Sequence, residues 1–379
     1  MLLIDAQTFG RWIEEHCDIM GLTEKKEIVE NAAGNTGFDY NRYSAKKYMI
    51  MTLGLVACIV FFFLDVVFSS TYINPMQIIS TMIDPDSVSN AMKVVVFDIK
   101  IPQGLMALIC GASFGLAGAI MQTMLNNPLA SPYTLGISAG AGFGAAFAMV
   151  TGLGGLAVLG SALVPFSAFF FSLLACGGIF LVARIKGFSA DIMVLAGIGL
   201  VFFFQALQAL MQYLASPEAL QGIVFWTFGS LQGSDWTNVP IVCVMFLLIF
   251  IIIYRKSWVL TAMKLGDNKA AALGIDTNKI RKWMFVGISL LTATCVAFVG
   301  CIGFIGIVGP HVARMILGED QRFLLPMSCI CGAAILTMAD VASKVIGNGI
   351  VFPIGILTAL VGVPFFFYLL LTRKKKVTS

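Results

Sequence analysis

Charged residues are scarce in this sequence. Asp, Glu, Lys and Arg together make up 12% of the 379 residues, which is about half the share that a soluble globular protein carries. Residues 101–183 contain none of these four residue types and no histidine. With 59% hydrophobic residues and a mean hydropathy of +0.92, the composition excludes a soluble globule and indicates an all-α integral membrane protein that crosses the bilayer repeatedly.

The sequence also lacks the elements of an enzyme site. No G-x-x-x-x-G-K-[S/T] loop occurs, so we expect this chain to bind no cofactor and ATP-Mg to be held by a separate ATPase chain. His16 and His311 have no ligating residues near them, and the nine cysteines mostly stand singly in apolar segments. We therefore predict no metal site, no disulfide and no catalytic residues.

Few ionisable residues fall inside the apolar segments. Asp65, Asp191 and Asp340 lie near predicted span ends, where we expect solvated carboxylates rather than a proton relay. This weighs against a stand-alone secondary transporter or channel, which is kept as the alternative function. The net charge of +4 comes from basic residues at span ends, so the expected surroundings are membrane lipid and not nucleic acid.

The apolar segments predict about ten membrane spans with both termini in the cytosol. Basic residues cluster at the ends assigned to the cytosol, as the positive-inside rule requires for a plasma-membrane protein. Residues 1–47 are predicted to form a cytosolic N-terminal extension, 48–372 the ten-helix membrane domain and 373–379 a basic cytosolic tail. The predicted spans are 48–68, 101–123, 133–151, 161–183, 191–214, 237–254, 284–300, 301–317, 323–342 and 353–371.

One long polar segment, residues 255–283, interrupts the apolar chain. Its basic residues are Arg255, Lys256, Lys264, Lys269, Lys279, Arg281 and Lys282. A segment of this composition must lie in water, and it holds a helix-prone stretch, DNKAAALG, just after Gly266. We predict a cytosolic loop by which a soluble motor protein holds the membrane domain.

Glycines recur at a spacing of four in three segments, GASFG (111–115), GISAG (136–140) and GAGFG (140–144). Glycine at this spacing lets helix backbones approach closely inside a membrane. The pattern predicts tight helix packing, and we assign no substrate contact to the block that starts at Gly136.

Six blocks, in order along the chain, resemble the FecCD or BtuC type of permease, the membrane subunit of ATP-binding-cassette (ABC) importers for iron-siderophores, haem and cobalamin. The blocks are GASFGLAGAIMQTMLNNPLASPYTLGISAGAGFGA (111–145), LAGIGL (195–200), WTFGSLQGSDW (226–236), KAAALGI (269–275), GFIGIVGPHVARMILG (303–318) and PIGILTALVGVPFFFYLLL (353–371). The resemblance covers about residues 50–372.

This resemblance implies a BtuC-like fold of the type II importers and an import function for a metal chelate, haem or cobalamin. The expected partners are a second copy or a homologous permease, two cytosolic ABC ATPase subunits and an extracytoplasmic substrate-binding protein. The loop at 255–283 would hold the ATPase-coupling residues, namely Gly266, Asp267, Lys269, Ala271, Leu273 and Gly274. Residues of the inner gate or path would be Asn127, Leu129, Ala190 and Asp191.

The chain departs from the family on the outer face. Family members present arginines there to receive carboxylates of the binding protein, whereas the matching positions hold Lys100, Gln103 and Lys344. Lysine keeps the charge but loses the bidentate fork, so the resemblance implies docking with fewer directed hydrogen bonds. At 350–353, IVFP stands where the family usually has an acidic residue.

The substrate stays open between iron-siderophore, haem and cobalamin.

Overall fold

The structure, a computed structural model, describes residues 40–68, 74–152, 162–346 and 352–372. Residues 1–39 of the predicted extension, the predicted tail 373–379 and residues 350 and 351 of the turn at 350–353 lie outside the described residues. Internal contacts divide the chain into two units, residues 1–50 and 51–379. The second unit contains the polar segment and all the predicted site residues.

All regular secondary structure in the described residues is helical. In chain order, the α-helices are α1 (Tyr40–Val67), α2 (Pro75–Ile83), α3 (Asn90–Lys93), α4 (Ile101–Met124), α5 (Ile137–Val150), α6 (Leu163–Lys186), α7 (Ala190–Leu214), α8 (Pro217–Phe228), α9 (Asn238–Tyr254), α10 (Ser257–Met263), α11 (Asp267–Ala272), α12 (Thr277–Val299), α13 (Ile305–Leu317), α14 (Gln321–Ile346) and α15 (Ile354–Thr372). A π-helix, Val94–Lys100, joins α3 to α4.

Each of the ten predicted spans coincides with one of these apolar helices, which confirms the all-α membrane fold. Within the described part of the chain, six helices are long and apolar enough to cross a bilayer. The pair α9 and α10 adds a seventh span if its 63° bend is counted within one crossing. The remaining three, α5, α13 and residues 354–365 of α15, are shorter apolar helices.

Helix α12 begins earlier than the span predicted at 284–300. Asp276 caps its N-terminus, because the carboxylate accepts a hydrogen bond of 2.9 Å from the Lys279 backbone N–H. Residues 277–283, which the sequence placed in the polar loop, are therefore the first two turns of α12. Only part of the predicted loop is a connection outside the spans.

Helix α4 lies at the centre of the bundle, and most of its side chains are buried. It packs most extensively against α14 and also contacts α13 and α12. In contrast, α1 and α7 bury few of their apolar side chains. They lie at the periphery, with surfaces that lipid or another membrane subunit can cover.

The predicted tight packing is found where α4 crosses α14 and α13. A Cβ atom added at Gly111 or Gly115 would meet the backbone of α14 inside the 3.0 Å limit that real Cβ contacts keep, and one at Gly118 would meet the Gly306 carbonyl of α13. Only glycine permits these approaches, because the obstructing atoms are backbone and cannot rotate away. On the next helix pair, Gly144 approaches the Ser167 carbonyl in the same way.

Candidate functional site

The short helix α11 occupies the helix-prone stretch of the polar segment. Gly266 precedes it with φ 97°, and Gly274 follows it with φ 77°, conformations that glycine adopts without strain. At the C-terminal end, the Ile275 N–H donates to the Ala270 carbonyl at 3.1 Å and the Gly274 N–H to the Ala271 carbonyl at 2.9 Å. These two bonds form a Schellman motif, which ends the helix and satisfies its last carbonyls.

Helix α11 turns one side to the bundle and leaves the other uncovered. Ala270 is buried, and it holds the helix against the protein. Asp267, Lys269, Ala271, Leu273 and Gly274 are exposed, while Gly266 is half-buried. Leu273 is 64% exposed and Leu265 58% exposed. The predicted coupling residues therefore surround an apolar surface that no other part of the described chain covers.

We expect Gly274→Ala to destabilise the folded conformation of α11, because the left-handed conformation at φ 77° costs an alanine roughly 1–2 kcal/mol. Hydrogen–deuterium exchange should become faster across residues 267–275 while the rest of the bundle is unchanged. Gly177→Ala is the control, since a Cβ there meets nothing within 4 Å. Unaltered exchange in Gly274→Ala would contradict the motif.

Arg281, on the second turn of α12, ties α11 to the bundle. Its Nη1 and Nη2 donate to the two carboxylate oxygens of Asp267 at 2.9 and 2.7 Å. Its Nε donates to the Met124 carbonyl at 2.9 Å, and Nη1 also reaches the Phe188 carbonyl at 3.4 Å. Arg281 is 5% exposed, so one buried guanidinium joins α11, the end of α4 and the segment before α7.

Sequence reasoning missed Arg281 as an individual residue and counted it with the solvated basic residues of the loop. The signal that identifies it is helical spacing. Arg281, Met284, Phe285 and Ile288 share one face of α12 at i, i+3, i+4 and i+7, and all four are buried. A basic residue at the start of such an apolar face is expected to need a buried partner.

A second set of ion pairs holds the start of the polar segment. Glu319 lies 3.2 Å from the Lys264 ammonium and 3.0 Å from Arg314 Nε. Arg314 also donates from Nη2 to the Gln122 side-chain oxygen at 2.9 Å. The Gln321 N–H donates to the Thr261 hydroxyl at 3.2 Å. Both ends of the segment are therefore fastened, while α11 between them keeps an exposed side.

The predicted gate residues lie in two connections beside Arg281. Asn127 follows the end of α4, where its side-chain oxygen accepts a 2.9 Å hydrogen bond from the Leu129 N–H. This hydrogen bond belongs to a turn that ends the helix. Asn127 is exposed and Leu129 half-buried. Ala190 and Asp191 form the first turn of α7, and Asp191 is exposed, as expected.

A cavity of about 420 Å³ joins part of the coupling set to part of the gate set. Its lining includes Gly266, Asp267 and Lys269 from the coupling set, Ala190 from the gate set, and Arg281 between them. Asn126, next to Asn127, completes one wall. Asn127, Leu129 and Asp191 do not line it, and neither do Ala271, Leu273 and Gly274.

The structure places the three predicted docking residues inside the bundle. The Lys344 ammonium lies 2.9 Å from Asp65 Oδ1 and 2.7 Å from Asp340 Oδ2. Lys100 is 5% exposed and close enough to interact electrostatically with all three. Gln103 is also buried, and its amide donates to the Gln232 carbonyl at 3.4 Å. These side chains do not stand free at the surface, contrary to the expectation.

Asp65, Lys100, Asp340 and Lys344 form what we call the buried charge cluster. The expectation of solvated carboxylates at Asp65 and Asp340 is wrong, since both are almost fully buried. Asp65 comes from the end of α1, Asp340 and Lys344 from α14, and Lys100 from the end of the π-helix before α4, so two carboxylates balance two ammonium groups. The cluster lies opposite the polar segment, about 36 Å away along α4, whose 24 residues rise 1.5 Å each.

Comparison with proteins of known structure identifies the class. The fold matches a solved structure described as an inward-facing conformation of a metal-chelate type ABC transporter, with a TM-score of 0.72 and 28% sequence identity over 85% of this chain and 99% of the other. The helical bundle with its exposed loop helix is thus an ABC transporter permease, and ATP hydrolysis belongs to a separate chain.

Sequence comparisons name the family. The FecCD transport family matches residues 57–372, and this chain belongs to it. An ABC transporter permease protein of Methanocaldococcus jannaschii is 39% identical over 76% of this chain and 84% of that protein. The Fe(3+)-citrate import system permease protein YfmE of Bacillus subtilis is 34% identical over 88% of this chain and 98% of that protein. The resemblance read from the sequence blocks is confirmed.

Proposed function

We propose that this chain is the translocation subunit of an importer that moves an iron chelate, haem or a cobalamin-type ligand inward across the plasma membrane. The observation that carries the proposal is α11, a capped helix whose exposed side includes Leu273 and Ala271. An exposed apolar side chain of this size at the end of a surface helix suits a protein–protein contact. An iron chelate is the favoured substrate, because YfmE, a relative matched over 98% of its length, is named for the import of Fe(3+)-citrate.

The polar segment faces the cytosol in this proposal, with both termini on the same side. The support is its run of basic residues, since short loops rich in lysine and arginine stay in the cytosol. Two ABC ATPase subunits would hold one α11 each, from this chain and from a second copy or a homologous permease. A substrate-binding protein would meet the opposite end, close to the buried charge cluster.

ATP enters the cycle only through the partner subunits. Closure of two ATPases around ATP-Mg would displace α11. The bundle would then change between two access states, whose populations depend on the nucleotide bound to the ATPases. Asn127, Leu129, Ala190 and Asp191 are proposed to form the inner gate. They follow the end of α4 or begin α7, so a displacement of either helix end moves them.

Uptake by proteoliposomes tests the function. The chain, reconstituted with its ATPase subunits and binding protein, should accumulate ferric citrate, haem or cobalamin only when ATP is present on the ATPase side. Omission of the ATPase should abolish accumulation. Uptake by the chain alone, driven by a proton or sodium gradient, would instead establish the stand-alone carrier.

Leu273→Asp tests the contact. A carboxylate in the apolar surface should weaken association with the ATPase by about tenfold or more, because central apolar anchors dominate such interfaces. Co-purification and ATP-dependent uptake should fall together. Asn278→Asp is the control, since it adds the same charge at an exposed position on α12. Equal losses in the two variants would mean that charge, and not the Leu273 contact, is responsible.

A further inference from the structure

The guanidinium of Arg281 has three partners on three different segments. One is a side chain, Asp267 of α11, and two are backbone carbonyls, at Met124 and Phe188. Asp267 is half exposed, with 50% of its side chain accessible, whereas the Arg281 side chain is only 6% accessible. The pair therefore runs from the exposed loop helix into the interior of the bundle.

The connection is stiff. A bidentate arginine–carboxylate pair fixes the relative orientation of both groups, because two parallel N–H···O bonds form together. Burial strengthens these bonds. If the Arg281 guanidinium moved away, the Met124 and Phe188 carbonyls would lose this hydrogen-bond donor inside the protein, which is unfavourable. Its own backbone is held in α12, whose neighbouring side chains Met284 and Phe285 are buried.

The two carbonyls lie next to the proposed gate. Met124 is the last residue of α4 and lies three residues before the proposed gate residue Asn127. Phe188 comes two residues before Ala190, the first residue of α7. A displacement of Asp267 therefore reaches both gate connections through a single side chain. The Glu319 ion pairs reach only one of the two connections. Their partner Arg314 bonds to Gln122 in the last turn of α4, whereas neither Lys264 nor Arg314 bonds to the described segment before α7.

We infer that the Asp267–Arg281 pair transmits displacement of α11 to both gate connections, and that Arg281 is a positioning residue for transport. The inference rests on the proposed function and deepens it. ATPase subunits that displace α11 also displace Asp267. The bidentate pair with Arg281 carries this displacement to the C-terminal end of α4 and to the segment before α7. Without the Asp267–Arg281 pair, α11 still binds the ATPase through Leu273, but its displacement no longer moves the gate connections.

Asp267→Asn is the decisive variant, because it keeps the size of the side chain and removes the charge that holds the fork. In the reconstituted complex, substrate moved per ATP hydrolysed should fall about tenfold, since a charged hydrogen-bond pair is lost. Assembly with the ATPase and ATP hydrolysis should persist in Arg281→Lys, because Arg281 is buried and lies outside the predicted coupling set. Asp267→Glu should restore much of the ratio, and Arg281→Lys, which loses the fork, should resemble Asp267→Asn.

Glu319→Gln is the matched control. It breaks two ion pairs of similar length at the same end of the bundle and should leave the transport-to-ATP ratio unchanged. An equal fall of the ratio in Glu319→Gln and Asp267→Asn would overturn the inference. Loss of ATPase binding in Arg281→Lys would overturn it as well, because either result would show a structural role only.

Hydrogen exchange on the chain without partners separates this inference from the proposed function. Asp267→Asn should accelerate exchange in residues 125–131 and 187–191, whereas Glu319→Gln should leave residues 187–191 unchanged. If wild-type vesicles show no ATP-driven uptake while these segments respond as expected, the proposed function fails and the physical link stands. If the two segments do not respond, the link is wrong even where transport is normal.

Discussion

Lys344→Met should destabilise this protein more than any other single change at a charged residue that we consider. The substitution leaves Asp65 and Asp340 buried beside each other without the ammonium that lies between them. Breaking a buried ion pair by removing one partner costs about 3–5 kcal/mol. We expect a much lower melting temperature in detergent and a low yield of monodisperse protein.

The double variant Asp65→Asn/Lys344→Met is the control for this prediction. It removes one carboxylate together with the ammonium, so Asp340 retains Lys100 as a balancing charge nearby. A good part of the lost stability should return, because replacing a whole ion pair is far less damaging than breaking one. If Lys344→Met alone melts like the wild type, the cluster does not hold the ends of α1, α4 and α14 together.

Gly118→Ala has the second largest expected effect. The new methyl group would occupy the space of the Gly306 carbonyl, and backbone atoms on both helices prevent a local adjustment. Helices α4 and α13 must separate, at a cost of about 1–3 kcal/mol or more for overpacking. Size-exclusion profiles and thermal unfolding in detergent measure the effect. ATP-dependent uptake should fall with it, because α4 carries the Met124 carbonyl that Arg281 holds.

Gly177→Ala provides the comparison on α6. No atom of the described residues lies within 4 Å of the position that its Cβ would take, so the change should be neutral or stabilise the helix by roughly 0.5–1 kcal/mol. Similar losses at Gly118 and Gly177 would show that glycine itself, and not the close approach to Gly306, is what these helices require.

The buried charge cluster changes how the end opposite the polar segment is understood. Lys100 and Lys344 were expected to replace the family's docking arginines, but Lys344 is committed to two aspartates and Lys100 is buried with them. Their charges act within the chain and hold three helices together. Docking of a binding protein stays a prediction, and these buried ammonium groups do not offer the surface charges expected of them.

Much of the fold could be predicted from the sequence because it depends on local properties. A span needs about 20 apolar residues in a row, and this can be counted, even for the glycine-broken segment 101–183. Helix α11 was also predictable, because Gly266 and Gly274 bracket it and set its ends. The N-terminus of α12 was missed because the polar residues of its first two turns resemble a loop, although Arg281 and Met284 share its buried face.

The side-chain partners could not be predicted in this way. Lys344 and Asp65 are 279 positions apart, and Arg281 is 157 positions from Met124. A basic residue at the end of a span is usually solvated, so the local rule assigned Lys344 and Arg281 to water. Their burial depends on the approach of α1 to α14, and of α4 to α12, which no local pattern encodes.

The sequence by itself determined that this chain is a helical membrane protein without a P-loop motif, because apolar run length and motifs are properties of the chain in one dimension. Only the tertiary structure decided which charges are used inside the protein. Burial makes an unpaired charge so unfavourable that each must have a partner, and the packing of distant helices selects Asp65 and Asp340 for Lys344 and Asp267 for Arg281.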